Sequence, residues 1–160
     1  MSITVHETTF GPLTLSASDA GLTRVRFGSA EVGDGAGNPI LDQARREIDE
    51  YLAGERERFT VPVDLDRVQG EHRTILDALS DVPFGETTTY GALAARLGLD
   101  RDGARRVGGA MARNPVLIVV PCHRVLGVDG RLVGYAGGTL VKRALLDLEA
   151  RDRAGQAVLC

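Results

Sequence analysis

Two cysteines in 160 residues are too few for a disulfide framework. Cys160 ends the chain, where termini fray, so Cys122 reads as a free thiol in a reducing compartment. Three histidines lie far apart and form no zinc spacing with the cysteines, so no metal is expected. No run approaches the roughly 18 apolar residues that a membrane span needs. The opening "MSITVHETTF" lacks the basic and apolar regions of a secretory leader, which makes a cytoplasmic protein the expectation. Strong charge of either sign is also missing: the net is −3 and the pI about 5.6, which argues globally against nucleic acid. Locally the balance reverses. Between Arg96 and Arg124 six arginines face two acids, a net of +4 that leaves −7 for the rest. Such a patch is either a nucleic-acid footprint or, more commonly, a solvated helix face.

What remains is globular, with 43% hydrophobic and 26% charged residues in one domain or two small lobes. Residues 2–28 alternate as strands and end in turn signals. "GDGAGNP" (33–39) is a loop by composition, and "ILDQARREIDEYLAG" an amphipathic helix with Ile40, Leu41, Ala44, Ile48, Tyr51 and Leu52 on one stripe, closed by Gly54. "RFTVPVDL" (58–65) reads as a further strand. The expected fold class is α+β, with a small N-terminal antiparallel sheet/helix lobe over 1–66 and a mostly helical C-terminal lobe over 67–160. In that second lobe "EHRTILDALSDV" predicts a helix. "TTTYGALAARLG" predicts another, capped by Thr88 or Thr89 and ending near Gly98. "DRDGARRVGGAMARN" predicts a third, capped by Asp100. Two short helices joined by "GLD" have the pattern of a helix-turn-helix, although an αα-hairpin inside a core has it too. Gly108-Gly109 inside the third helix would cost about 1 kcal/mol each relative to alanine, which implies close approach of a neighbouring helix or a nucleic acid.

"NPVLIVVPCHRVLG" reads as a buried strand, Val116 to Val120, that delivers Cys122 beside His123. A thiol becomes a strong nucleophile when a neighbour takes its proton. On a strand adjacent side chains diverge, so a Cys122–His123 hydrogen bond needs a bend or a bridging water. The final helix, "TLVKRALLDLEA", predicts an apolar arc of Leu140, Val141, Ala144, Leu145 and Leu148. Glu149 falls between the directions of Leu145 and Leu146, where a carboxylate needs partners and could orient an imidazole. A buried cysteine is by itself usually only a small hydrophobe.

"PCHRV" followed by "GYAGG" resembles the active-site signature of the O6-alkylguanine-DNA alkyltransferases. The likeness runs backward through "RRVGGAMARNP" and "PFGETTTYGALA" and forward through "KRALLDLE", covering about residues 82–149. It departs in "EHRTILDAL", where the family commonly carries Phe-Gln and Val-Trp packing residues. The resemblance implies a ribonuclease H-like N-terminal lobe and a suicide repair protein, a monomeric one-use alkyl acceptor without cofactor. Cys122 would take an alkyl group irreversibly from O6-alkylguanine, with O4-alkylthymine a further candidate. The partner would be double-stranded DNA, entered through the minor groove, with the damaged nucleotide flipped. In the roles so implied, His123 accepts the thiol proton through a water, Glu149 polarises His123, and Asn114 orients the cysteine loop. Tyr90 meets guanine N3, Arg105 fills the vacated duplex space, and Arg124 is structural. Tyr135 and Ala136 wall the base pocket. Arg106, Gly108, Gly109, Arg113 and Val125 complete the DNA- and base-binding set. Two other classes share the pattern. A lesion-binding module without chemistry would lack the nucleophile that this chain keeps. A Cys-His thiol hydrolase would turn over on acyl substrates.

Overall fold

The computed structural model describes residues 1–29 and 35–159, with side chains through residue 150. Part of the loop expected over 33–39, and Cys160, lie outside the described residues. The chain forms two compact units: residues 1–66 with 115–119, and residues 67–114 with 120–160.

The first unit is built on an antiparallel meander of β1 (Ser2–Thr8), β2 (Gly11–Ala17) and β3 (Leu22–Phe27), with β2 central. Ser2 pairs with Ala17 and Leu13 with Phe27, and the β2–β3 register shifts at Ser16/Ala17. As the middle strand, β2 is buried on both faces, and Leu13, Leu15 and Ala17 lose essentially all exposure. Its polar residues survive there by bonding: the Thr14 hydroxyl donates to the Gly28 carbonyl at 2.7 Å. Helix α1 (Pro39–Leu52) starts where Asn38 accepts from the N–H groups of Ile40 and Leu41, with proline pre-set at the first position. It stops at Gly54, whose φ is +79°. Leu41, Ala44, Ile48 and Tyr51 are fully buried on one stripe, with Leu41 and Ile48 each contributing about 1.5–3 kcal/mol on burial.

Glu47 shares that stripe and is also fully buried. It accepts from the N–H of Thr60 at 2.8 Å and of Val61 at 3.0 Å, and from the Gln43 amide at 2.9 Å. This explains why the strand expected over 58–65 shrinks to one bridge, Leu22 with Val63. A side chain consumes the donors of Thr60 and Val61, and Pro62 has none to give.

The strand expected over 116–120 is likewise absent. Val116 makes a single bridge to Val25. Ile118 then sits at φ +72° with Val119 N–H donating to Leu117 O at 2.8 Å, a strained γ-turn. A second γ-turn follows about Pro121, φ −83° and ψ 61°, closed by Cys122 N–H to Val120 O at 2.8 Å. The apolar run is buried as core, but its backbone turns twice because Pro121 cannot donate to a ladder.

In the second unit, α2 (Gly70–Leu79) is followed by β4 (Thr88–Thr89), α3 (Tyr90–Arg96), α4 (Gly103–Ala112), β5 (Val125–Leu126) and α5 (Thr139–Leu159). Thr89 caps α3 by accepting from Ala92 N–H, and Gly98 at φ +70° ends the turn after it. The cap of α4 is Asp102 rather than Asp100, in the left-handed region at φ 52° and with no side-chain cap bond. Strands β4 and β5 pair in parallel, Thr88 with Val125 and Thr89 with Leu126. That pairing sets Tyr90, the next residue, beside the segment that follows the cysteine. The apolar arc expected on α5 is displaced: Leu140 is 86% exposed, and the buried face is Lys142, Leu145 and Glu149. Polar partners described below hold that face, so hydropathy alone misplaces it.

Candidate functional site

Residues Cys122–Arg124 form one turn of 3-10 helix directly after the second γ-turn. The bend needed to relieve the strand geometry is therefore present, and all three side chains are buried. The two residues after the cysteine join a polar network on one carboxylate. Glu149 Oε2 is 2.7 Å from His123 Nε2. Arg124 clamps Glu149 with two arms, Nε to Oε1 at 2.9 Å and Nη2 to Oε2 at 3.1 Å. Gly85 N–H donates to Oε1 at 3.1 Å, which ties the "PFGE" segment to the site. The third arm of Arg124 donates to Val82 O at 2.7 Å, and its guanidinium lies 5.9 Å from the Phe84 ring.

Protonation follows from these partners. Burial pushes the Glu149 carboxyl up, but hydrogen bonds from His123 and Arg124, with the Arg124 charge, overcome it and hold it at about 2. Burial pushes His123 down, against the pull of Glu149. The network is thus a carboxylate, a guanidinium and a neutral imidazole. Nε2–H donates to Glu149, so the lone pair sits on Nδ1, the nitrogen able to take a proton. Burial raises the Cys122 thiol, while a hydrogen bond from the Asn114 side chain, the Lys142 charge and the cysteine's own N–H pull it back. Asn114 also donates from Nδ2 to Val120 O at 2.9 Å, which fixes the segment entering the turn.

Cys122 lies on the wall of a cavity of about 740 Å³, within the ~300–1,000 Å³ typical of small-molecule pockets. Tyr90, Arg105, Gly108, Tyr135 and Ala136 line it as well. Tyr90 donates its hydroxyl to Val133 O at 3.0 Å. Burial first, and the nearby Cys122 charge second, raise both tyrosines, so both stay neutral. At Gly127, where the cavity loop folds back, a Cβ would fall 2.7 Å from Val133 Cγ2 and would push that exposed side chain aside.

The remaining expected residues go elsewhere. Arg106, Gly109 and Arg113 line a second depression of about 340 Å³ with Arg101, Arg105 and Glu71. Arg106 is ion-paired to Glu71, its Nε 3.0 Å from Oε2. Val125 is fully buried; its carbonyl accepts from Lys142 and its N–H donates to Cys122 O. The glycines of α4 divide in role. Gly103 is the one against a neighbouring helix: a Cβ there would lie 2.9 Å from Ala94 Cβ. At Gly108 the nearest atoms are the Tyr90 ring at 3.9 Å, and at Gly109 the Arg113 guanidinium at 3.8 Å, so helix packing does not demand either glycine. Lys142 is a site residue that the sequence reading passes over. Its signal is the seven-residue spacing to Glu149, two helical turns along one face.

A buried thiol backed by an imidazole–carboxylate pair, in a cavity edged by a helix-turn-helix, defines a nucleophilic-cysteine protein with a cationic helix beside its pocket. The comparisons are specific. Residues 71–151 match the family model for the 6-O-methylguanine DNA methyltransferase DNA binding domain, and residues 1–65 match that for its ribonuclease-like domain. A methylated-DNA–protein-cysteine methyltransferase of Methanosarcina acetivorans is 37% identical over 155 residues, covering 93% of this chain and 98% of that one. One from Mycobacterium leprae is 39% identical over 144 residues, 87% and 86% of the two chains. Among solved structures, the Mycobacterium tuberculosis OGT in complex with DNA has a TM-score of 0.86 at 36% identity, covering 95% and 94%. The O6-methylguanine-DNA methyltransferase of Pyrococcus kodakaraensis has a TM-score of 0.70 at 27% identity, covering 92% and 98%. The chain belongs to the 6-O-methylguanine DNA methyltransferase family.

Proposed function

We propose that this protein repairs alkylated DNA by moving the alkyl group from O6 of guanine in a duplex onto the sulfur of Cys122, once per molecule. The observation that carries the reading is the buried Cys122 on the wall of a cavity large enough to admit a base, followed directly in the chain by two members of the His123–Glu149–Arg124 network. The thiol proton passes through a water to His123 Nδ1, and Glu149 stabilises the imidazolium that results. The thiolate attacks the alkyl carbon, the carbon–oxygen bond breaks, and its electron pair stays on the guanine. The proton then returns to the base. The leaving oxygen meets the backbone N–H at Ala136, and Tyr90 turns from Val133 to guanine N3. The product is a thioether, which has no carbonyl for water to attack, so the sulfur is spent.

Reaching O6 requires the nucleotide to leave the stack, at a cost of a few kcal/mol. Arg105 fills the gap, and Arg101, Arg106 and Arg113 meet phosphates. The bare Gly108–Gly109 face of α4 lets the helix approach the minor groove closely. The division into 1–66 and 67–160 assigns support to the ribonuclease-like lobe and all chemistry to the second. No helix among the described residues is long and apolar enough to cross a membrane, and the protein acts in the cytoplasm as a monomer. Mass spectrometry after incubation with an O6-methylguanine duplex tests the reading. One CH₂ increment per chain on the Cys122 peptide is expected, with none in Cys122→Ser. Multiple turnovers, or an unmodified Cys122 at saturating damaged DNA, would reject it.

A further inference from the structure

Lys142 has no step in the transfer just described, yet its side chain is only 1% exposed. Taking an ammonium out of water is costly unless it is compensated. Its Nζ donates to three backbone carbonyls, Val125 at 2.8 Å, Val133 at 3.1 Å and Gly134 at 3.3 Å. Among the described residues no carboxylate pairs with it. The first carbonyl belongs to the strand that leaves the Cys122 turn, and the other two belong to the loop that walls the cavity. Val133 O also receives the Tyr90 hydroxyl, and the Tyr90 ring lies 5.8 Å from Nζ. If Tyr90 turns toward a base, Lys142 still holds that carbonyl.

A neutral amide has two N–H donors, enough for the two shorter of these contacts, so hydrogen bonding accounts only in part for a charge here. The groups facing the sulfur make a charge useful. Tyr90, Tyr135 and Asn114 are neutral, as is His123. Glu149 and Arg124 offset each other in a two-armed pair. Arg105 reaches the cavity from an exposed position, where water and salt screen it. That leaves Lys142 as the uncompensated positive charge buried with the thiol.

We infer that Lys142 is a positioning residue for the alkyl transfer: it fastens both ends of the 125–134 loop, and its ammonium stabilises the Cys122 thiolate. The two groups act on each other in both directions. Burial lowers Lys142 while the Cys122 charge raises it, and the Lys142 charge lowers Cys122 against burial. The inference rests on the proposed function for the reaction served, but not for the state of the thiol.

The test follows alkylation of Cys122 by iodoacetamide against pH in a Cys160→Ser background, beside methyl transfer from an O6-methylguanine duplex. Lys142→Gln keeps two N–H donors and removes the charge. Its profile should move up by about one pH unit, roughly a tenfold loss of rate below the thiol pKa, and Lys142→Arg should stay close to the parent. Superimposable Gln and parent profiles would overturn the inference. Should the Gln variant lose its fold by circular dichroism, the reciprocal effect decides. The Lys142 side-chain NMR titration should have its midpoint at lower pH in Cys122→Ala than in the parent, and equal midpoints would overturn the inference. A Gln variant that shows the iodoacetamide shift, from a parent that accepts no methyl from DNA, would reject the alkyltransferase reading alone.

Discussion

Glu149 serves three partners at once: His123, Arg124 and the Gly85 N–H. Glu149→Gln replaces one acceptor oxygen with a donor and leaves the Arg124 guanidinium buried without a counter-charge. The expected result is a transfer rate lower by about 100-fold, with an altered pH–rate profile, since the imidazolium loses its stabilising partner. Single-turnover kinetics on a methylated duplex would measure this, and a profile matching the parent would uncouple Glu149 from the chemistry. Arg124→Met should cost about 3–5 kcal/mol in urea unfolding, the usual penalty for stranding one member of a buried pair. Arg105 is exposed and lines both depressions, so its value lies in the duplex rather than in the fold. Arg105→Ala should slow repair in duplex DNA far more than reaction with the free modified base, because only the duplex must be opened. Equal losses on the two substrates would count against that role.

The glycines of α4 separate two demands on one helix. Gly103→Ala pushes a Cβ to within 2.9 Å of Ala94 Cβ, an overpacking that should cost about 1–3 kcal/mol and be visible as a lower melting temperature. Gly108→Ala meets nothing closer than 3.9 Å. It should leave stability unchanged or raise it by up to about 1 kcal/mol through helix propensity, while weakening DNA binding in a titration. Most elements were legible in the sequence. The meander, α1 with its Gly54 stop, and the Thr89 cap follow from period and end signals. So did the cluster of Cys122, His123 and Glu149, because its motifs sit in one order along the chain. Three things were not legible. The 58–65 strand gives way to the Glu47 carboxylate, a tertiary partner no local pattern reveals. The 116–120 run looks like a strand because hydropathy reports burial, whereas Pro121 and the turn at Ile118 decide the backbone. The buried face of α5 was missed because two of its members, Lys142 and Glu149, are charged, and only their partners make them interior residues.

For the molecule as a whole, buried carboxylates make acid its weak side. Burial pushes Glu47 up, but hydrogen bonds from Thr60, Gln43 and Val61 outweigh it and hold it at about 2, and Glu149 is held similarly. Their folded-state values lie below the ordinary carboxylate value, so the stability they add is present above about 4.5 and fades as pH falls toward 2. Urea midpoints measured across that window should decline, and Glu47→Gln should flatten the decline while lowering stability near neutrality. Net charge is −3, yet the arginines are gathered around α4. Affinity for undamaged duplex should therefore drop steeply with salt, as it does wherever cations displace counterions. Beside its exposed arginines, α4 carries the bare pair Gly108 and Gly109. The glycines offer a base edge no side-chain donor or acceptor, and arginines spent on phosphates and on the vacated gap read no sequence, so a chain travelling along a chromosome would dwell nearly equally on every site. Only the ease with which a given nucleotide swings free would distinguish one stopping place from the next.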